Sequence, residues 1–309
     1  MRVFLVVALL FVLLICTSIF ALLSGNLALS AADVMGVIAY KLFGIGELSA
    51  TGEIVVWNLR VPRILIAILV GVSLACAGAI YQSIFRNPLV EPFILGASSG
   101  ASFGASLAIL LPSIFFSLEL SAFTFGLLAV FLAYTLAFER GVTNSVALVL
   151  SGVIVGAIFS SLVGIMKYLS EDAQLREITF WMMGGLYHAS WDDIAVNGLF
   201  GIPCFIIAFA LSWKLNLLSL GDEEARSLGV NPQIYKAIFI VIATLLSALS
   251  VASVGIIAWI GLMMPHAARM LVGADNRAIL PVAGLMGAIY LLLCDTLSRT
   301  LSSGEIPVG

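Results

Sequence analysis

Stretches of about 20 almost uninterrupted apolar residues recur along the whole chain, and each is long enough for a helix to cross a bilayer. No water reaches the hydrocarbon core, so a spanning segment has to satisfy its own backbone N–H and C=O groups. A helix does so within one segment. Nine such spans are expected, at residues 3–24, 54–85, 93–111, 119–138, 144–166, 194–213, 233–253, 256–272 and 278–298. Composition agrees: 62% of residues are hydrophobic and 10% are charged, with mean hydropathy +1.17. Soluble domains are about 45–50% apolar and about 25% charged. The expected fold class is an all-α polytopic membrane protein, with residues 1–309 forming one transmembrane domain.

The same features exclude several functions. A formal net charge of −3 offers no basic face for nucleic acid. The first apolar run exceeds the 7–15 residues of a signal-peptide core, so it reads as a retained span. Cys16, Cys76, Cys204 and Cys294 each lie inside an apolar run and form no C-x-x-C pair, which fits small core side chains. His188 and His266 are far apart and have no second ligand at metal spacing, so no metal is expected. No Ser-His-Asp or Cys-His set stands together, and the chain is not expected to be an enzyme.

One stretch breaks the apolar pattern. Leu220-Gly-Asp-Glu-Glu-Ala-Arg-Ser-Leu-Gly-Val-Asn-Pro232 is charged and helix-forming, and it lies between two spans. A short acidic helix there has to lie on a membrane surface. Counting spans puts it on the same side as the N-terminus. That side carries Arg2, Arg86, Arg140, Lys214, Arg226, Lys236, Arg269 and Arg277; the other carries Lys41, Arg60, Arg63, Lys167, Arg176 and Arg299. The bias favours a cytoplasmic N-terminus only slightly under the positive-inside rule. The cations on the other side therefore need their own explanation.

Arg60 and Arg63 share a helical face, and Asp295 and Arg299, at i and i+4, share another. Charges within spans are costly and tend to be functional. Outward arginines would suit docking of carboxylates, which they hold in bidentate pairs; snorkelling at a span end is the plainer reading. Gly96, Gly100 and Gly104, at four-residue spacing, suit close helix packing. The stretch lacks the lysine that a phosphate-binding loop requires, and no such loop occurs elsewhere in the chain. ATP-driven transport would need another chain to hydrolyse the ATP. Met182, Met183, Met263 and Met264 suit helix packing better than a solute path.

From about Trp57 onward the sequence resembles the permease subunits of iron–siderophore, haem and vitamin B12 ABC importers. The resemblance rests on an ordered set of motifs. Arg60-Val-Pro-Arg63 is followed by Gly78-Ala-Ile-Tyr-Gln-Ser-Ile-Phe-Arg-Asn-Pro-Leu89 and Leu95-Gly-Ala-Ser-Ser-Gly-Ala101. Then come Gly221-Asp-Glu-Glu-Ala-Arg-Ser-Leu-Gly229, Gly261-Leu-Met-Met-Pro-His-Ala-Ala-Arg269, Asp295-Thr-Leu-Ser-Arg299 and Glu305-Ile-Pro-Val-Gly309.

The resemblance implies a type II importer bundle working as a dimer, with an identical or paralogous permease, in a bacterial inner membrane. It implies two ATPase subunits that hold ATP and Mg, and a periplasmic binding protein that delivers an iron–siderophore; haem and vitamin B12 are the alternatives. Gly221, Asp222, Glu223, Glu224, Ala225, Arg226, Ser227, Leu228 and Gly229 correspond to the coupling region that seats in the ATPase, within helices at about 220–231. Arg60, Arg63 and Arg299 correspond to arginines that meet glutamates of the binding protein. Family members continue past the Glu305 motif into a last helix, so a tenth span is expected to be missing here by truncation. An ion-coupled transporter would need carboxylates at mid-membrane, for which Asp295 is the only candidate. A scaffold would not need the polar island.

Overall fold

The computed structural model describes all residues except 1, 26, 28, 46–48, 114–116, 140–141 and 302–305. The chain folds into helices α1 (Arg2–Leu23), α2 (Ala31–Phe43), α3 (Ala50–Gly52), a π-helical stretch (Glu53–Arg60) and α4 (Val61–Phe85). Next come α5 (Ala97–Leu110), α6 (Leu118–Ala137), α7 (Ser145–Leu169), α8 (Asp172–Met183) and α9 (Trp191–Ala210). The last are α10 (Ser212–Leu220), α11 (Asp222–Ser227), α12 (Pro232–Val254), α13 (Ile260–Val272) and α14 (Asn276–Leu301). A two-residue antiparallel ladder, Phe138–Glu139 with Val142–Thr143, joins α6 to α7. The expected polar turn at 139–141 and residues 302–305 of the tail fall largely outside the described residues.

Helix α4 is the axis of the bundle. It continues α3 and the π-helical stretch into one helix of 36 residues, and α14, α12, α13 and α9 pack around it. Small residues let the backbones meet. A Cβ on Gly71 would overlap the Gly287 backbone of α14, and one on Gly287 would overlap the Gly71 carbonyl. Gly78 likewise lies against the Gly261 carbonyl of α13. In a membrane such close packing drives association, because lipid tails are as apolar as the side chains. The Gly100 and Gly104 part of the expected glycine face packs as predicted, against the Phe125 and Ser121 carbonyls of α6. Gly96 does not share that face: it is the N-cap of α5, at φ +84°, and it abuts Gly152 and Gly156 of α7.

Among the described residues, seven helical segments are long and apolar enough to cross a membrane. They are α1, the helix over 50–85, α6, α7, α9, α12 and α14. The other two expected spans, 93–111 and 256–272, become the shorter helices α5 and α13, preceded by turns and irregular chain. Their 14 and 13 residues reach only about 20 Å, short of the roughly 30 Å hydrocarbon core. Non-helical backbone at that depth is tolerated where protein buries it and satisfies it. The Gln82 side chain of α4 does part of this. Its Nε2 donates to the Val90 carbonyl of the irregular chain and to the Gly261 and Leu262 carbonyls in the first turn of α13, at 3.2–3.3 Å, and its Oε1 accepts from Arg269.

The sequence treats residues 25–53 as a loose stretch, yet they contain α2. A Ser30–Asp33 capping box starts that helix, and Gly44, left-handed at φ +70°, ends it. The connection between α7 and α9 contains α8; of the segment Trp181–Gly185, Trp181 and Met182 are half-buried, Met183 is exposed, and Gly184 and Gly185 are buried. The Gly185 N–H donates to the Val254 carbonyl at 2.8 Å.

Candidate functional site

The charged island folds into α11 behind a break at Gly221, whose φ of +140° suits glycine. Asp222, Glu223 and Glu224 fill its first turn, where carboxylates complement the helix dipole. It ends in a Schellman-type turn: the Val230 N–H donates to the Ala225 carbonyl at 2.9 Å, and Gly229 takes the left-handed residue at φ +79°. Ala225 and Val230 face inward and are buried. Glu223, Glu224, Arg226, Ser227, Leu228 and Gly229 are exposed. The island therefore offers a charged surface with Leu228 at its edge, 56% exposed.

Polar contacts tie this surface into the bundle. Lys236, one turn into α12 and 5% exposed, meets Asp222 at 2.7 Å. From α10, Asn216 donates to Asp275 at 2.7 Å and accepts from the Asn276 N–H at 2.8 Å. Asn276 in turn accepts from Ser83 of α4 at 3.0 Å. Arg277 lies over the Trp213 ring at 4.6 Å. At Asp275, partial burial raises the carboxyl's pKa, but the Asn216 hydrogen bond, the Arg277 N–H and the Arg277 charge outweigh it. The group is held below the usual carboxylate range. The sequence reading includes Gln82 and Ser83 only as members of the Gly78–Leu89 motif, with no role assigned, and does not single out Asn216, Asp275 or Asn276. The signal it had was polar residues at the ends of apolar spans, with nothing local to pair them.

At the opposite face the structure brings Arg60, Arg63 and Arg299 together, but turned inward. Asp295 is fully buried; it accepts from Arg63 Nε at 2.7 Å and has Arg299 Nε at 3.6 Å. The expected Asp295–Arg299 pairing is present, with Arg63 as a third member. Arg60 is 4% exposed and donates to the carbonyls of Leu22 at 2.8 Å and Leu27 at 2.6 Å. Arg299, 6% exposed, donates to the carbonyls of Ser24, at 2.8 Å, and Ala21. These carbonyls belong to the end of α1 and the residues after it, where helical carbonyls lack intrahelical donors. Two arginines from other helices thus cap α1, and their charge suits a helix C-terminus.

The structure has polar clusters at its two faces and a tightly packed helix pair, α4 and α14, running between them. Comparison with known proteins identifies this arrangement. The model of the FecCD transport family matches residues 10–309. The chain belongs to that family. It is a permease subunit of an ABC importer, a transport protein rather than an enzyme. The molybdate import permease MolB of Haemophilus influenzae is 37% identical over 298 residues, covering 96% of this chain and 88% of that protein. The hemin transport permease HmuU of Yersinia pestis is 38% identical over 262 residues, covering 82% of this chain and 78% of that protein. A solved structure of a metal-chelate type ABC transporter in an inward-facing conformation superposes with TM-score 0.85 at 36% identity, over 98% of this chain and 92% of that one. The family expected from the motifs is the family found.

Proposed function

We propose that this chain pairs with a second permease subunit, identical or paralogous, to pass an iron–siderophore complex into the cytoplasm. A periplasmic binding protein delivers the complex, and two ATPase subunits, which carry the ATP and Mg, drive the step. The observation that carries the choice of solute is the likeness, over 98% of the chain, to a transporter of metal-chelate type. On this reading the island face is cytoplasmic, and Glu223, Glu224, Arg226, Ser227, Leu228 and Gly229 form the seat of the ATPase. Ala225 and the Asp222–Lys236 pair anchor that seat, so its displacement moves α12 directly. The Asn216 contacts extend the movement to α14 and α4. Alternating access then follows from two packings of the subunit interface, biased by the state of the ATPase.

On the opposite face, Arg63 is the arginine best placed to meet a binding protein, since it is the least buried of the three. Arg60 and Arg299 contribute by holding the surface in shape. Docking should weaken when Arg63 is reversed in charge, and the loss should be larger at low salt, where screening is weaker. Unchanged affinity would count against the role.

A second reading, molybdate import, is supported by the likeness to the molybdate permease over 96% of this chain. Uptake into proteoliposomes holding the assembled importer separates the readings. Iron–siderophore uptake that needs ATP and resists competition by molybdate supports the first. Competition by molybdate, haem or vitamin B12 would reassign the solute, and uptake driven by an ion gradient without an ATPase would sink the importer mechanism.

A further inference from the structure

Helices α6 and α9 stand on either side of α12 and leave a long crevice with α12 as its floor. At the face opposite the island it opens into a cavity of about 910 Å³ that runs from the Ser117 end of α6 to Leu127. A second cavity of about 290 Å³ shares Leu127 and Leu245 with it and continues down to Tyr134. From Leu120 to Tyr134 the crevice follows α6 for about 21 Å, longer than the roughly 15 Å of hydrocarbon in one leaflet. Leu120 and Phe131 of α6 and Val196 and Phe200 of α9 line it and are also exposed. Its long side thus opens onto apolar surface along the spans, within reach of a bilayer lipid.

The crevice is polarised along its length. Its depth is lined by side chains such as Phe123, Val130 and Leu245, whereas its mouth carries Glu119, His188, Asp192 and Asp193. Among the described residues, no lysine or arginine lines either cavity. Carboxylates favour helix N-termini, and two helices begin at this mouth, but each helix end supplies only about half a positive charge. Three carboxylates against two such ends leave the mouth net negative. Asp193 accepts from the N–H and hydroxyl of Ser190, closing its own helix cap. Among the described residues, neither Glu119 nor Asp192 has an ion-pair partner. Ser253 accepts from Asn197 at 2.7 Å and keeps its hydroxyl proton to donate.

We propose that this crevice binds one phospholipid with a primary-ammonium headgroup, such as phosphatidylethanolamine. An acyl chain lies along α12, the ammonium group sits between Glu119 and Asp192, and the phosphate accepts from Ser253 and His188. A headgroup without an ammonium would place its anionic phosphate at a negative mouth with nothing to offset the repulsion.

The test reconstitutes the full chain in bilayer discs containing equal phosphatidylethanolamine and phosphatidylglycerol with identical acyl chains. Lipid retained after extraction into detergent is counted by native mass spectrometry. The wild type should keep phosphatidylethanolamine over phosphatidylglycerol severalfold, and the E119Q/D192N double variant should lose that preference while folding normally. L245W, which fills the crevice, should lower retention of both lipids. Equal retention of the two lipids by the wild type, or a preference unchanged in E119Q/D192N, would overturn the proposal. A photo-crosslinker placed at Leu127 gives an independent reading. Attachment to lipid supports the site; attachment to a peptide of this chain or of a second copy makes the crevice a protein interface and overturns it.

Discussion

Asp295 holds the cluster opposite the island together, because it is a fully buried carboxylate with Arg63 at 2.7 Å and Arg299 at 3.6 Å. Removing one member of a buried charged group commonly costs about 3–5 kcal/mol, since the remaining charges stay buried without it. Asp295→Asn should therefore lower the melting temperature of the detergent-solubilised protein markedly. Adding Arg63→Met should restore part of the loss, because it removes one of the two arginine charges that Asp295 offsets and leaves only Arg299. A double variant less stable than Asp295→Asn alone would show that Arg63 matters through other contacts. At Gly229 the issue is backbone rather than space: φ is +79°, and a Cβ there would have nothing within 4 Å. A branched side chain in the left-handed region costs about 1–2 kcal/mol, whereas asparagine visits it readily. Gly229→Asn is expected to keep transport coupled to ATP hydrolysis and Gly229→Val to weaken it, read as ATP consumed per solute imported. Equal loss in both would mean that bulk at the proposed ATPase seat, not backbone shape, is what the site rejects.

At the scale of elements, the contact between Gly71 of α4 and Gly287 of α14 leaves no room for a side chain on either. Gly287→Val must push the two helices apart, at about 1–3 kcal/mol or more for overpacking. Gly36→Ala in α2 meets nothing within 4 Å and should gain about 0.5–1 kcal/mol. Thermal unfolding of the two variants should move in opposite directions; a neutral Gly287→Val would mean that the pair is looser than its geometry. The small residues of these helices are visible in the sequence, but which glycine meets which is not. The same limit explains the two spans that become short helices. Apolar composition is identical for a helix and for irregular chain buried in protein. Gln82 helps to permit the irregular chain before α5 by donating to Val90, and the same amide ties that chain to Gly261 of α13, 179 residues away. The island was legible because charge between apolar runs can lie only at a surface. The direction of Arg60 and Arg299 was not, because it depends on carbonyls at the end of α1 that no local pattern reveals.

At the scale of the whole molecule, α4 and α14 each run from one polar cluster to the other. One face carries Arg60 and Arg63 at the start of α4 and Asp295 and Arg299 at the end of α14. The other carries Ser83 and Asn276, joined at 3.0 Å. Interlocked along their middles, the two helices act as a rod, and Asn216 is the clasp through which α10 grips its island end. Asn216→Ala removes two hydrogen bonds from a half-buried position, a loss of about 1–3 kcal/mol that leaves the core packing untouched. The variant should still assemble with its ATPase, yet consume severalfold more ATP per solute imported, because a stroke from the proposed ATPase seat would reach α12 through Asp222–Lys236 but α14 and α4 only loosely. The clasp's pH dependence fixes the conditions for this comparison. Asp275 has a lowered folded pKa, so its contribution is fully present above the ordinary carboxylate value of about 3.9 and is lost only as pH falls through the lowered value. Wild-type coupling should accordingly be flat from about pH 5.5 to 8 as far as Asp275 is concerned. Normal coupling in Asn216→Ala would leave the Asp222–Lys236 pair as the route by which the island moves the bundle, and the rod would then follow α12 rather than share in driving it.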